Sequence, residues 1–234
     1  MHTLSAADFV PAEPPIELGG DDIHLWVFPQ HEAGGNTPLD TQRRLRETLA
    51  AYLAISPDAL RIERGAQGKP FLADHALHFN LSHSGRTLLI GVSRTQPLGV
   101  DIESSDRARP YRDIAHRYFT ADEAAALSAL SEERLRRSFL DLWSAKEAVL
   151  KAIGRGIAFG LDRVGFALDA DGAVAELTHL AEEAGAPAQW HIVRLAPAPG
   201  VTGALAWHGP ARRIRAFIAA DASVSATVHA SFAS

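Results

Sequence analysis

The segment Leu98–Ser104 reads LGVDIES, and the residues in it that could do chemistry are Asp101 and Glu103. In an extended chain alternate side chains share a face, so these two carboxylates point one way while Val100 and Ile102 point the other. Like charges at that spacing repel. Farther on, WSAKEAVLK places Trp143, Glu147 and Lys151 at four-residue intervals, along one face of a helix, with a carboxylate beside an ammonium group. If Glu147 meets Asp101 and Glu103, three carboxylates converge, a donor set suited to a hard divalent ion such as Mg²⁺ (or Mn²⁺) that also takes oxygen from a substrate phosphate. Lys151 would then balance charge on that phosphate. The plainer alternatives are a solvent-facing strand edge for Asp101 and Glu103 and a solvated surface pair for Glu147 and Lys151.

Two further stretches carry polar chemistry. HFNLSHSG (78–85) gathers Asn80, Ser82, His83 and Ser84 ahead of a glycine turn, a set of donors able to grip an anion or, more simply, to bond its own backbone. GAQGKP (65–70) is not a P-loop, because that motif needs four residues between its glycines and Ser or Thr after its lysine, yet Lys69 remains available to a phosphate. Arg43, Arg44 and Arg46 form a basic helical face, mostly solvated. Lys146 interrupts the apolar stripe Leu135, Phe139, Leu142, Val149, Leu150 and Ile153, and so faces the core side of its helix.

The elements that must position these residues are legible from periodicity. IHLWVF (23–28), LRI (60–62), LHFNL (77–81), TLLIGVS (87–93) and LGVDIE (98–103) predict strands, and PLDTQRRLRETLAAYL (38–53) predicts an amphipathic helix. Thr120 and Glu123 form a T-x-x-E capping box, and the long helix through Lys146 stops at Gly154. RVGFAL, AVAELTHL, QWHIVRL, VTGALAWH and RIRAFIA predict a second group of strands. The pattern is helix then sheet, twice, which predicts an α+β protein of two similar halves. We place a flexible segment at 1–22, subdomains at 23–104 and 105–220, and a tail at 221–234.

The 234 residues are 47% hydrophobic and 22% charged, an ordinary soluble composition with enough length for one large domain or two small ones. A formal net charge of −5 supplies no general attraction to nucleic acid or anionic membranes, so phosphate chemistry must be local. The absence of cysteine removes disulfides, thiolate metal sites and thiol nucleophiles, and fits a cytoplasmic location. No signal peptide or membrane helix is expected.

In the order GKP, FNLSHS, GVDIE, WSAKEAVLKAIGRGI, these motifs resemble those of the 4′-phosphopantetheinyl transferases of the surfactin-synthetase-activating type, from about Arg43 to Phe166 and more loosely through the final strands. The resemblance implies a monomer with a pseudo-twofold pair of α+β subdomains and coenzyme A in the cleft between them. It implies transfer of phosphopantetheine to a serine of apo acyl, peptidyl or aryl carrier proteins. Asp101, Glu103 and Glu147 match the residues that hold Mg²⁺ against the coenzyme A pyrophosphate, and Lys151 matches the lysine at that pyrophosphate. Glu147 and Lys151 are thereby the expected catalytic pair. Lys69, Pro70, Ser82 and His83 match the part that holds the adenine nucleotide, and Lys146 is expected at the cleft. Many relatives carry basic residues ahead of the first helix, whereas HEAGGNTPLDTQ has none, so Arg46, or its neighbours Arg43 and Arg44, is expected to take the 3′-phosphate. The rival readings are a Mg²⁺-dependent nuclease or phosphodiesterase, which the lack of a basic stripe opposes, and a silent binder of carrier domains or coenzyme A.

Overall fold

The structure is a computed structural model that describes residues 1–29, 38–74, 76–106, 108–156 and 159–219. The expectations for the loop ahead of the first helix (30–37) and for the tail 221–234 lie outside the described residues. In chain order the elements are β1 (Thr3–Ser5), β2 (Phe9–Ala12), β3 (Asp22–Pro29), α1 (Pro38–Leu53), β4 (Ile62–Arg64), β5 (Pro70–Leu72), β6 (His78–Ser84), β7 (Thr87–Ser93) and β8 (Leu98–Ser104). There follow α2 (Tyr111–Tyr118), α3 (Ala121–Ser128), α4 (Glu132–Ile153), β9 (Val164–Leu168), β10 (Val174–Leu180), β11 (Trp190–Ala198), β12 (Val201–His208) and β13 (Arg213–Ala219).

Two sheets dominate this α+β architecture, one ordered β2-β13-β3-β7-β6 and the other β1-β11-β12-β8. The strand period of two sorts their side chains into layers. Ile23, Leu25 and Val27 of β3, Leu98, Val100 and Ile102 of β8, and Leu205 and Trp207 of β12 share one core between the sheets. Trp26 and Phe28 turn the other way, onto Leu45, Leu49 and Tyr52 of α1. Ala204 and Ala206 of β12 likewise turn onto α4, which is packed among α2, α3, β9 and β10. The layers therefore run α1, five-stranded sheet, four-stranded sheet, α4. β3 and β7 read as continuous apolar runs because both of their faces are covered.

The expected flexible segment at 1–22 is corrected: β1 pairs in parallel with β11, and β2 in parallel with β13. Strands of three and four residues carry no readable period and exist because a sheet edge accepts their backbone groups. The sheets also exchange strands across the expected boundary. β8 belongs to the sheet of β11 and β12, while β13 lies between β2 and β3.

Candidate active site

Asp101 and Glu103 reach the site because β8 turns one face to the inter-sheet core and the other to α4. Gly99 lies on that second face, so close to the helix that an added Cβ would stand 2.0 Å from the Ala148 carbonyl oxygen. Only a residue without a side chain permits this approach. Opposite Gly99 and Asp101, β12 presents Ala206 and Ala204 in register, small residues that let α4 lie against both strands.

β8 is an edge strand, and so is β6 in the other sheet. Their edges are joined by side chains rather than by a ladder of backbone bonds. Asn80 Oδ1, Ser82 Oγ and Ser84 Oγ accept from the backbone N–H groups of Val100 (2.8 Å), Ile102 (3.3 Å) and Ser104 (2.8 Å). These three residues alternate along β6, so one polar face of that strand satisfies the free edge of β8. The polar residues of FNLSHS, expected to grip an anion, are thus largely committed to holding β8. Of that group His83 is exposed and lines the cavity beside Ser82.

Each of the two carboxylates on β8 has its own cation. Lys151 Nζ lies 2.7 Å from Asp101 Oδ1 and 3.2 Å from the Val100 carbonyl, and Ser82 Oγ donates to the same Asp101 oxygen at 2.8 Å. Arg109 pairs with Glu103 at 2.9 Å. Glu147 comes from α4 into the same cavity, of about 360 Å³, which is lined by Ser82, His83, Asp101, Glu103, Trp143, Glu147 and Lys151 among others. Burial pushes Glu147 up to about 7, the charge on Asp101 adds to the shift, and Lys151 opposes it. Burial also raises Asp101, against the pull of Lys151 and Ser82.

The donor set fits a hard cation. Asp101 and Glu147 are 5% and 8% exposed, and each keeps one carboxylate oxygen, Oδ2 and Oε1, buried without a hydrogen-bond partner. Such atoms are costly unless something positive meets them. Among the described residues no three acidic or histidine side chains are gathered closely enough to hold a metal as they stand. The third carboxylate, Glu103, is directed to Arg109 instead.

Other expected site residues fall elsewhere. Lys69 and Pro70 line a second cavity of about 240 Å³ with His78, Leu98 and Gly154. The Lys69 ammonium donates to the carbonyls of Leu98 (3.0 Å) and Lys151 (2.5 Å), tying the start of β8 to the last turn of α4. That burial, with Lys151 nearby, lowers its pKa to about 8. Gly154 ends α4 at φ 82°, where glycine is favoured. Arg46 lines neither cavity and donates to the carbonyls of Pro57 and Leu60, holding the turn after α1. Lys146 is corrected from the cleft to the core: it is fully buried, pairs with Glu123 at 2.7 Å and donates to the carbonyls of Leu161 and Val164. The apolar stripe pointed to this core position. Glu123 receives it because the capping box at Thr120 leaves a carboxylate between α3 and β9, where it also accepts from the Phe166 N–H. Trp143 packs on Phe119 and Phe139. Sequence reasoning missed Arg109, whose only signal is a basic residue directly before the proline that opens α2, and Gly99, whose signal is a glycine inside a strand pattern.

Comparison with known proteins bears on this geometry. The chain is 40% identical over 136 residues to a Synechocystis sp. protein provisionally named a 4′-phosphopantetheinyl transferase, covering 54% of this chain and 55% of that one. It is 29% identical over 231 residues to the 4′-phosphopantetheinyl transferase HetI of Nostoc sp., covering 86% of this chain and 94% of that one. It is 33% identical over 132 residues to the 4′-phosphopantetheinyl transferase Sfp of Bacillus subtilis, covering 56% and 57%. Apart from the Nostoc protein, the matched stretch spans about half the length of these relatives. Residues 97–206, which hold Asp101, Glu103, Glu147 and Lys151, match the model of the 4′-phosphopantetheinyl transferase superfamily.

Proposed function

We propose that this chain transfers the 4′-phosphopantetheine group of coenzyme A to a serine of an apo carrier protein. The observation that carries the reading is the cavity in which Asp101 and Glu147, each with a buried unpartnered oxygen, stand beside Lys151. All three lie in the stretch similar to the superfamily.

Asp101, Glu103 and Glu147 would hold Mg²⁺, or Mn²⁺ in its place, which supplies positive charge to the pyrophosphate when bound. The chain's own groups do the rest. The serine oxygen forms a bond to the β-phosphorus, the bond from that phosphorus to the oxygen of 3′,5′-ADP breaks, and Lys151 stabilises the charge gathering on the leaving phosphate. Glu147 is the group placed to take the serine proton, and its rise to about 7 is that of the chain without a bound ion. The cavity at Lys69 and Pro70 receives the nucleotide end, while Ser82 and His83 line the cavity of the carboxylates. Trp143 lines the cavity.

The finer parts of the reading are proposals as well: the surfactin-synthetase-activating type, action as a monomer in the cytoplasm, and a pseudo-twofold relation of the two halves. The last is supported by the matching layers, α1 on one sheet and α4 on the other. Intact-mass measurement of an apo carrier incubated with the protein, coenzyme A and Mg²⁺ tests the whole. A gain of one phosphopantetheine is expected. An unmodified panel of acyl, peptidyl and aryl carriers, with nuclease or phosphodiesterase activity in its place, overturns it.

A further inference from the structure

We infer that Arg109 competes with the divalent cation for Glu103, so that the guanidinium holds the third carboxylate away from the metal position until the ion displaces it. The inference rests on the proposed metal-binding role of Asp101, Glu103 and Glu147 and extends it to a residue outside the cavity wall.

Three observations carry it. Asp101 and Glu147 already present unpartnered buried oxygens to the cavity, so two of three donors stand ready. Glu103 lines that cavity as well, but both of its oxygens are engaged by Arg109, at 3.4 and 2.9 Å, and Oε2 also accepts from Ser84 Oγ at 3.4 Å. Arg109 is itself anchored from behind: it directly precedes Pro110, which caps α2, and its carbonyl accepts from the Tyr111 N–H at 2.8 Å. The backbone of Arg109 is therefore held beside the site, and the charge of its guanidinium offsets the repulsion between Glu103 and Asp101. Lys151 does the same for Asp101 from the opposite side, but from within the cavity. A cation drawing Glu103 inward must break the Arg109 pair. Its apparent affinity is lowered by that competition, and by reciprocity the bound ion must weaken the grip of Arg109.

The test measures Mn²⁺ binding to the full chain by titration calorimetry or electron paramagnetic resonance, with and without coenzyme A. Arg109→Gln is expected to bind Mn²⁺ more tightly than the unaltered protein, on the order of tenfold. Arg109→Lys, which keeps a single charge, should fall between them. In a Glu103→Gln background, Arg109→Gln should have no effect on Mn²⁺ affinity. In the unaltered protein, Mg²⁺ titration should shift the Arg109 side-chain N–H signal in nuclear magnetic resonance spectra. Equal or weaker binding by Arg109→Gln in a folded protein overturns the competition while leaving the metal site standing. No Mn²⁺ binding by any variant, with or without coenzyme A, overturns both. Arg109 is part-exposed on a loop, and matching circular dichroism melts establish that the variant is folded.

Discussion

Glu147 combines near-complete burial, a neighbouring Asp101 carboxylate and an unpartnered oxygen, and these set its acidity. Its folded value stands at about 7 against an unfolded value of 4.5, so between those pH values the folded chain binds more protons than the unfolded one. The contribution of such a group to stability is greatest below about pH 4.5 and falls as pH rises toward 7. In chelator, urea unfolding at pH 5 and pH 8 should show a stability loss on the order of 2 kcal/mol that Glu147→Gln lacks. Parallel pH dependence in the two proteins would remove the basis for treating Glu147 as the base. The same residue should govern catalysis, with transfer collapsing in Glu147→Gln. Asp101→Asn belongs beside it. The amide keeps the shape that accepts from Ser82, but it removes the charge facing Lys151, so carrier modification should fall by at least about a hundredfold while the melting temperature stays within a few degrees. Full activity in Asp101→Asn would mean that the metal position is wrongly drawn.

At the scale of elements, the site is a contact between one strand and one helix, and two residues outside the carboxylate cluster set it. Gly99 fixes how near β8 lies to α4, and Lys69 ties the start of β8 to the last turn of α4 by donating to the Leu98 and Lys151 carbonyls. Any side chain at position 99 must push the helix outward, because the obstructing atoms are backbone atoms of Ala148 and Ala152. Gly99→Ala should therefore cost about 3 kcal/mol or more in denaturant unfolding and should separate Lys151 from Asp101. A variant as stable and as active as the parent would show that the close approach has no bearing on the site. The ladder from Asn80, Ser82 and Ser84 to β8 completes this clamp from the other sheet. Its serines are also the nearest hydroxyls to the carboxylates. Donor chemistry alone left FNLSHS open between an anion and its own backbone, and neither alternative foresaw the edge of β8 as the partner.

For the molecule as a whole, what was legible and what was not divide along a physical line. Periods of 3.6 and 2 report which face of an element is buried, so α1, the α4 stripe with Lys146 inside it, and the shared face of Asp101 and Glu103 could all be read in advance. Period says nothing about which strand lies beside which. It could not show that β8 leaves its sequence neighbours for β12, that β13 returns to the first sheet, or that segments as short as β1 and β2 are held by pairing. Arg109 escaped for a related reason, since a loop residue meets its partner through chain path rather than periodicity. The strand exchange makes a prediction that two self-sufficient halves would not. A fragment of residues 1–104 lacks β13, which bonds to both β2 and β3, and carries a β8 whose partner β12 is missing. The complementary fragment has the converse defects, with β11 lacking β1 and β13 lacking both neighbours. Each exposes an apolar sheet face that the other should cover, the one built from Ile23, Leu25, Val100 and Leu205. Expressed separately, neither fragment should show a cooperative thermal transition. Mixed or co-expressed, they should recover one transition and measurable Mn²⁺ binding together, because the Asp101 of one fragment needs the Glu147 and Lys151 of the other. Cooperative unfolding of either fragment alone would show that the exchanged strands ornament two independent domains rather than join one.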